Sequence, residues 1–250
     1  MLGPLIGTGA VVVGAGALAY HAMAPWAQGF GATFVAGPSG TKQIALTYDD
    51  GPNDPHTLKL LEVLAKDDVR ATFFLIGRYV ERRPDIVRDV LKAGHAIGNH
   101  TFTHPSLALT GEVQTRIQLE ECQRAVQGAT GETTLLFRPP FGTRCPHTLR
   151  IARSLGLVPV MWNVTSWDWK VPPAAKIVET CNRRIGGGAV VLMHDGSHLG
   201  FGADRWQTVV ATHLLIEGWR AKGYEFVTVP EMMGSSVASR QSPADAVVDR

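Results

Sequence analysis

The chain has 250 residues, 45% of them hydrophobic and 18% charged, with a formal net charge of +2. Such a length and apolar content suit one soluble domain with a large core and exclude an intrinsically disordered chain. The 24 basic residues are nearly matched by 22 acidic ones without a basic run, which argues against nucleic acid as a partner.

The first charged residue is Lys42, and Leu5 to Pro25 is almost wholly apolar or small. That stretch is about long enough to cross a bilayer, although its glycines weaken it as a span. Residues 1–41 are therefore expected to be a membrane anchor or signal, with membrane contact through residues 5–25. The protein is then membrane-anchored or secreted, and extracytoplasmic. A Gly/Ala-rich arm packed on the domain is the alternative. Ala17-Leu18-Ala19 would suit signal cleavage, but the basic segment that usually precedes such a site is missing. Residues 42–233 form the expected folded domain, and the Ser/Ala/Asp-rich residues 234–250 a solvated tail. Deleting residues 1–40 is expected to leave a soluble, active domain, since every motif lies downstream.

Strand and helix alternate from there. Gln43 to Tyr48 reads as a strand and His56 to Asp67 as a helix with Leu58, Leu61 and Leu64 inward. Ala71 to Ile76 is a strand, Arg82 to Lys92 a helix, and His95 to Gly98 a short strand. Glu112 to Gly128 is a long amphipathic helix, followed by a strand at Leu135 to Phe137 and a helix at Pro146 to Leu155. Val158 to Val164 is a strand, Pro173 to Ile185 a helix, and Ala189 to Met193 a strand. Asp204 to Ala221 is a helix and Glu225 to Val229 the last strand. This alternation implies parallel pairing through right-handed crossovers. The expected fold is α/β, a distorted (β/α) barrel of about seven parallel strands. An open doubly wound sheet is second, but no Gly-rich phosphate loop follows the first strand.

Polar, titratable residues follow the strands on one side, where parallel α/β barrels build their active sites. Asp49-Asp50 end the first strand. Adjacent strand residues point to opposite faces, so one carboxylate can ligate a metal while the other faces substrate. Asp50-Gly51-Pro52 is also ordinary turn chemistry. His100 and His104, four apart, put two imidazoles on one face of a helical turn, which suits a metal once a carboxylate joins them. His194 and His198 repeat the spacing, but Gly196 breaks helical continuity and His198 reads as a surface residue. Arg138 precedes two prolines that stiffen its loop. Trp167 and Trp169 flank Asp168, as core packing or as indole faces for a sugar ring or an acyl pocket. The cysteines Cys122, Cys145 and Cys181 form neither a disulfide framework nor a Cys-x-x-Cys zinc spacing.

Thr47-Tyr48-Asp49-Asp50-Gly51-Pro52, His100-Thr101-Phe102-Thr103-His104, Arg138-Pro139-Pro140-Phe141-Gly142, Asp168-Trp169 and Leu192-Met193-His194 resemble the five ordered motifs of the polysaccharide deacetylases, carbohydrate esterase family four. The match runs from about Lys42 to Met233, in family order and at family-like spacing. The resemblance implies a distorted (β/α) barrel and an enzyme acting on linear amide C–N bonds. It would remove N-acetyl groups from a chitin-like or peptidoglycan glycan and release acetate. Asp50, His100 and His104 then hold a divalent ion, zinc first, with cobalt, nickel or manganese as alternatives. Asp49 is the implied general base and His194 the general acid. Arg138 pairs with the base, and Asp168 orients the acid. The backbone N–H of Phe141 faces the oxyanion, so its side chain should matter little, and Phe141 and Tyr48 are the two departures from the commoner residues. Trp169 and Leu192 wall the acetyl pocket, and Trp167 is a candidate sugar-stacking residue. The glycan is the expected partner and the chain is expected to act as a monomer. A small-amide or imide hydrolase, or an inactive glycan-binding protein, are the competing readings.

Overall fold

A computed structural model describes residues 16–234 of the chain. Most of the expected membrane segment, residues 5–15, and the tail beyond Gly234 lie outside the described residues. Among the described residues, no helix is long and apolar enough to cross a membrane.

The strands are β1 (Gln43–Gly51), β2 (Thr72–Leu75), β3 (Ala96–Asn99), β4 (Leu136–Phe137), β5 (Val158–Pro159), β6 (Val164–Thr165), β7 (Ala189–His194) and β8 (Glu225–Phe226). The helices are α1 (His56–Lys66), α2 (Gly77–Arg82), α3 (Pro84–Lys92), α4 (Glu112–Thr130), α5 (Pro146–Ser154), α6 (Ala174–Asn182), α7 (Trp206–Arg220) and α8 (Val229–Met233). Seven strands form one curled sheet in the order β5-β4-β3-β2-β1-β7-β6, and β8 pairs with the start of β1. Every pairing is parallel. This is the expected distorted barrel.

The last expected strand, Glu225 to Val229, is shortened to β8, and its final residue opens α8, a helix absent from the sequence reading; two further differences bear on the topology. The helix expected over Arg82 to Lys92 is preceded by a separate turn of helix, α2, and the break falls at Arg83 (φ −138°, ψ 65°). Arg83 precedes Pro84, whose ring disfavours the helical conformation in the residue before it. The strand expected over Val158 to Val164 splits into β5 and β6, which sit at opposite edges of the curled sheet. The intervening chain crosses the gap between those edges, and Phe34 makes a parallel bridge to Val160 there.

Side-chain alternation along the strands divides the core. Ile44, Leu46 and Tyr48 of β1, Phe73 and Leu75 of β2, and Val191 and Met193 of β7 face the helices. Ala45, Phe74, Val190 and Leu192 face the barrel interior, which α8 helps to close through Val229 and Met232. In α1, Leu60 and Leu64 are fully buried, while Leu58 and Leu61 are only partly so. The interior phase continues to Asp49 and His194, which are register partners at the C-terminal ends of β1 and β7.

Residues 22–34 pack on the domain. The fully buried Arg144 receives its backbone acceptor from Ala22, whose carbonyl takes the Arg144 N–H at 3.0 Å. Its guanidinium donates to the Ala24 and Ala27 carbonyls at 2.7 Å each.

Candidate active site

By alternation Asp50 would point toward the helices with Tyr48. The register of β1 against β2 slips between Asp49 and Gly51, and Asp50 has φ +74°. This one-residue bulge re-aims its side chain. Both carboxylates consequently enter one site: Asp49 Oδ2 and Asp50 Oδ1 each lie 3.6 Å from His100 Nε2. The expectation that neighbouring carboxylates diverge is corrected here, because the bulge cancels the strand period. The loop after β7 packs directly on this bulge. A Cβ at Gly196 would collide with the Asp50 carbonyl, so only glycine fits.

His100 and His104 are not on a helical turn. They lie on the irregular segment after β3, with Thr101 at φ +66° and His104 at φ +65°. Hydrogen bonds hold this shape. Asn99 Oδ1 accepts from the Thr101 N–H at 2.9 Å, and Thr101 Oγ1 accepts from the His104 N–H at 3.0 Å. The ring centroids of the two histidines end 4.8 Å apart. His104 Nε2 lies 3.2 Å from Asp50 Oδ1. His100 Nδ1 donates to the Arg138 carbonyl at 2.7 Å, which leaves Nε2 turned to the carboxylates.

Asp50, His100 and His104 offer ligand atoms that all lie within 4.8 Å of one another, and all three residues are buried. Burial lowers His100 to about 4 and His104 to about 3, so both are neutral at pH 7. Burial works against ionisation of Asp50, but the surrounding imidazoles hold its carboxyl well below the usual range. Asp50 Oδ1 is buried without a hydrogen-bond partner. One carboxylate and two neutral imidazoles with an orphaned oxygen between them fit a divalent cation.

Asp49 is held by Arg138, whose side chain is fully buried; Nη1 donates to Asp49 Oδ1 at 2.7 Å. The same guanidinium donates to Thr47 Oγ1 at 2.7 Å and to the Met161 carbonyl at 3.0 Å. It lies 4.1 Å from the Phe74 ring centroid. Burial pushes the Asp49 pKa up, with the Arg138 charge opposing it. Arg138 remains charged at any working pH.

Across the site, His194 Nδ1 lies 2.8 Å from Asp168 Oδ1. The other Asp168 oxygen accepts from the His194 N–H at 2.7 Å and from Thr208 Oγ1 at 2.9 Å, and Ser166 Oγ donates to Oδ1 at 2.8 Å. Burial alone would lower His194, but the Asp168 charge and hydrogen bond raise it to about 9. Its Nδ1 is committed to Asp168, which leaves Nε2 free to face the cavity that His194 lines.

These groups surround a cavity of about 390 Å³. Asp49, Asp50, His104 and His194 line it, with Trp169, Leu192 and Phe141 as apolar wall. Arg138 and Asp168 stand behind the lining. Trp167 does not line the cavity; it is 48% exposed and packs against Trp169 at 4.7 Å between centroids. Phe141 contributes its side chain to this wall as well as its backbone. It adopts φ +56° and sets its ring edge-on to His104 at 4.6 Å and His198 at 4.9 Å.

Three contributors escaped the sequence reading. His198 is part of the site: its ring stacks on His104 at 4.5 Å, and its backbone N–H donates to Asp50 Oδ2 at 3.2 Å. Its four-residue spacing from His194 was visible, but the intervening glycine argued against it. Trp162 and Arg205 also line the cavity, and neither carried a sequence signal. Arg205 Nε donates to the Gly196 carbonyl at 2.6 Å and so braces the same loop.

Comparison with known proteins adds a family context. A model of the polysaccharide deacetylase family matches residues 36–160. A peptidoglycan-N-acetylglucosamine deacetylase of Bacillus cereus is 34% identical over 213 residues, covering 84% of this chain and 75% of the relative. A chitooligosaccharide deacetylase of Bradyrhizobium sp. is 35% identical over 201 residues, covering 78% and 92% respectively. The structure of a CE4 family pseudoenzyme from Bacillus anthracis is similar at a TM-score of 0.74 and 30% identity, over 81% of this chain and 69% of that one.

Proposed function

Because the chain belongs to the polysaccharide deacetylase family, we propose that it is a metal-dependent hydrolase that removes N-acetyl groups from N-acetylglucosamine residues of a glycan, peptidoglycan or chitooligosaccharide. A relative described as a pseudoenzyme means that membership alone does not carry activity. The reading rests on one observation: the Asp50–His100–His104 cluster opens onto the same cavity as Asp49 and His194.

A divalent ion held by Asp50, His100 and His104, zinc foremost, would polarise the amide carbonyl and lower the pKa of water beside it. Asp49 accepts a proton from water as its oxygen bonds to the carbonyl carbon. Its burial suits this role, since a raised pKa strengthens a carboxylate base. Arg138 fixes the Asp49 carboxylate so that Oδ2 faces the cavity. His194 Nε2 gives its proton to the departing nitrogen as the C–N bond breaks, leaving acetate and a free amine. Asp168 keeps that imidazole charged and oriented. The Phe141 backbone N–H serves the developing oxyanion. Trp169 and Leu192 enclose the acetyl methyl, and Trp167 stacks at the sugar end.

The uncharged residues before Lys42 and the peptidoglycan named for a relative support an extracytoplasmic site of action, with the apolar residues ahead of Ala22 as anchor or signal, since Ala22 and Ala24 are engaged by Arg144. Subcellular fractionation tests this, and a full-length protein found soluble in the cytosol would overturn it. The activity is tested by measuring acetate release from chitooligosaccharides, peptidoglycan and small amides side by side. Release from the two glycans and not from the amides is expected; turnover of the amides alone would overturn the reading.

A further inference from the structure

A second cavity, of about 300 Å³, adjoins the catalytic one, and the two share Leu199 as a lining residue. Arg78, Arg82, Tyr79 and Phe201 line it. The two arginines are four residues apart on α2 and so project from one face of that helix. Like charges at this spacing repel, so they call for a counter-charge. Neighbouring Arg83 has one: it pairs with Asp54 and Asp85. No ion pair forms to Arg78 or Arg82 among the described residues. Arg82 instead lies over the Phe201 ring at 4.1 Å.

Arg78 is only partly used. Its Nη2 donates to the His198 carbonyl at 2.7 Å and to the Tyr79 hydroxyl at 3.1 Å, while its Nε is buried with no partner. A buried donor without an acceptor is rare in native structures. The His198 bond also ties this cavity to the loop that packs on the metal-ligating histidines. A group bound here therefore sits one residue's width from the catalytic cavity.

We propose that the Arg78–Arg82 cavity is a subsite for a carboxylate borne on a sugar next to the one being deacetylated, so that the enzyme favours an acidic glycan over a neutral one. The inference rests on the deacetylase reading and names the substrate class within it. Guanidinium groups suit this ligand because their planar donors match carboxylate oxygens, and the flanking rings can lie along a sugar's apolar face. In a peptidoglycan-type glycan that carboxylate is either a lactyl ether acid or the acid of an attached peptide.

Equilibrium binding to the full chain tests it, with three glycans of equal length: one carrying a free lactyl acid, one carrying a peptide on that lactyl group, and one with every carboxylate converted to carboxamide. The unmodified protein should bind an acidic form about 5- to 10-fold more tightly than the amide, the range for a partly exposed charge-assisted pair. Arg82→Gln should abolish the preference, so that the acidic and amide forms bind alike. Arg82 is exposed on the helix surface, so this variant should fold. Preference for the lactyl acid or the peptide acid identifies which carboxylate docks. Equal binding of all three, or a preference that survives in Arg82→Gln, would overturn the inference. A protein that keeps the charge preference but releases acetate from no glycan would sink only the deacetylase reading.

Discussion

The Nδ1 of His194 lies 2.8 Å from Asp168 Oδ1, and that carboxylate is itself fixed by Thr208 and Ser166. The pair ties the end of β7 to the loop after β6. It sets the protonation state that a general acid requires.

The alkaline limb of the rate–pH profile should report this pair. With His194 raised to about 9 from an ordinary 6.5, the acid form is present at neutral pH and is lost as pH rises through about 9. The same shift stabilises the fold fully below pH 6.5, and that contribution fades as pH rises through about 9. Asp168→Asn should move the alkaline limb to lower pH. An NMR titration of His194 in metal-free protein checks the assignment; an unmoved limb and an unmoved titration would refute it.

Arg138 and Asp49 form a buried pair whose halves cannot be removed singly without cost. Arg138→Met strands a buried carboxylate and should destabilise the protein by about 3–5 kcal/mol. Asp49→Leu combined with Arg138→Met should recover most of that, although the enzyme stays inactive. Asp49→Asn alone should lower the rate by about 10²–10⁴-fold while the metal is retained. Chemical denaturation of the unmodified protein, Asp49→Leu, Arg138→Met and the double variant gives the coupling energy, and additive losses would contradict the pairing.

Asp50→Ala, His100→Ala and His104→Ala should each lose stoichiometric divalent metal and activity together. His198→Ala removes a ring stacked on His104 and should weaken metal binding by about 10-fold, the usual scale for a group that supports a ligand. Metal content by elemental analysis separates the two classes. Full metal occupancy in the His100→Ala/His104→Ala double variant would displace the site.

Leu192 and Trp169 should decide acyl size. Leu192→Ala enlarges the wall beside His194 and should raise the rate on N-propionyl relative to N-acetyl glucosamine oligomers, in the range of about 1–3 kcal/mol for a methylene. Trp167→Ala should raise KM with little change in kcat, since that indole is outside the cavity lining. Paired kinetics on the two oligomers measure both effects, and an unaltered acyl preference in Leu192→Ala means that the pocket lies elsewhere.

Truncation should discriminate two parts of the N-terminal piece. Removing residues 1–15 leaves the arm that packs on the domain. Removing residues 1–40 takes away the Ala22, Ala24 and Ala27 carbonyls from buried Arg144, and Phe34 from Val160. The longer deletion should cost about 3 kcal/mol, because the guanidinium loses two of its three carbonyl acceptors, keeping only that of Gly142, and the packed arm is lost with them. The sequence alone suggested that this deletion would be harmless. Equal melting temperatures for the two truncations would restore that view.

The distribution of residue types along the chain was enough to read the parallel barrel, the rim on which Asp49, Asp50, His100, Arg138, Asp168 and His194 gather, and the family. Period and spacing encode those features locally: apolar strands alternate with amphipathic helices, and polar residues follow the strands. What the chain could not express locally was set by packing. The bulge at Asp50 arises where β1 meets β2 and the Gly196 loop, and only that contact sends two adjacent carboxylates into one cavity. His198 reads as a surface residue until the loop after β7 folds over His104, a contact between residues distant in sequence. The arm over residues 22–34 looks like part of an apolar leader until Arg144 claims its carbonyls. Side-chain pattern specifies which face of an element is buried, but which segments then meet, and so where a backbone must bend or a guanidinium finds its acceptors, is decided only when the whole chain packs.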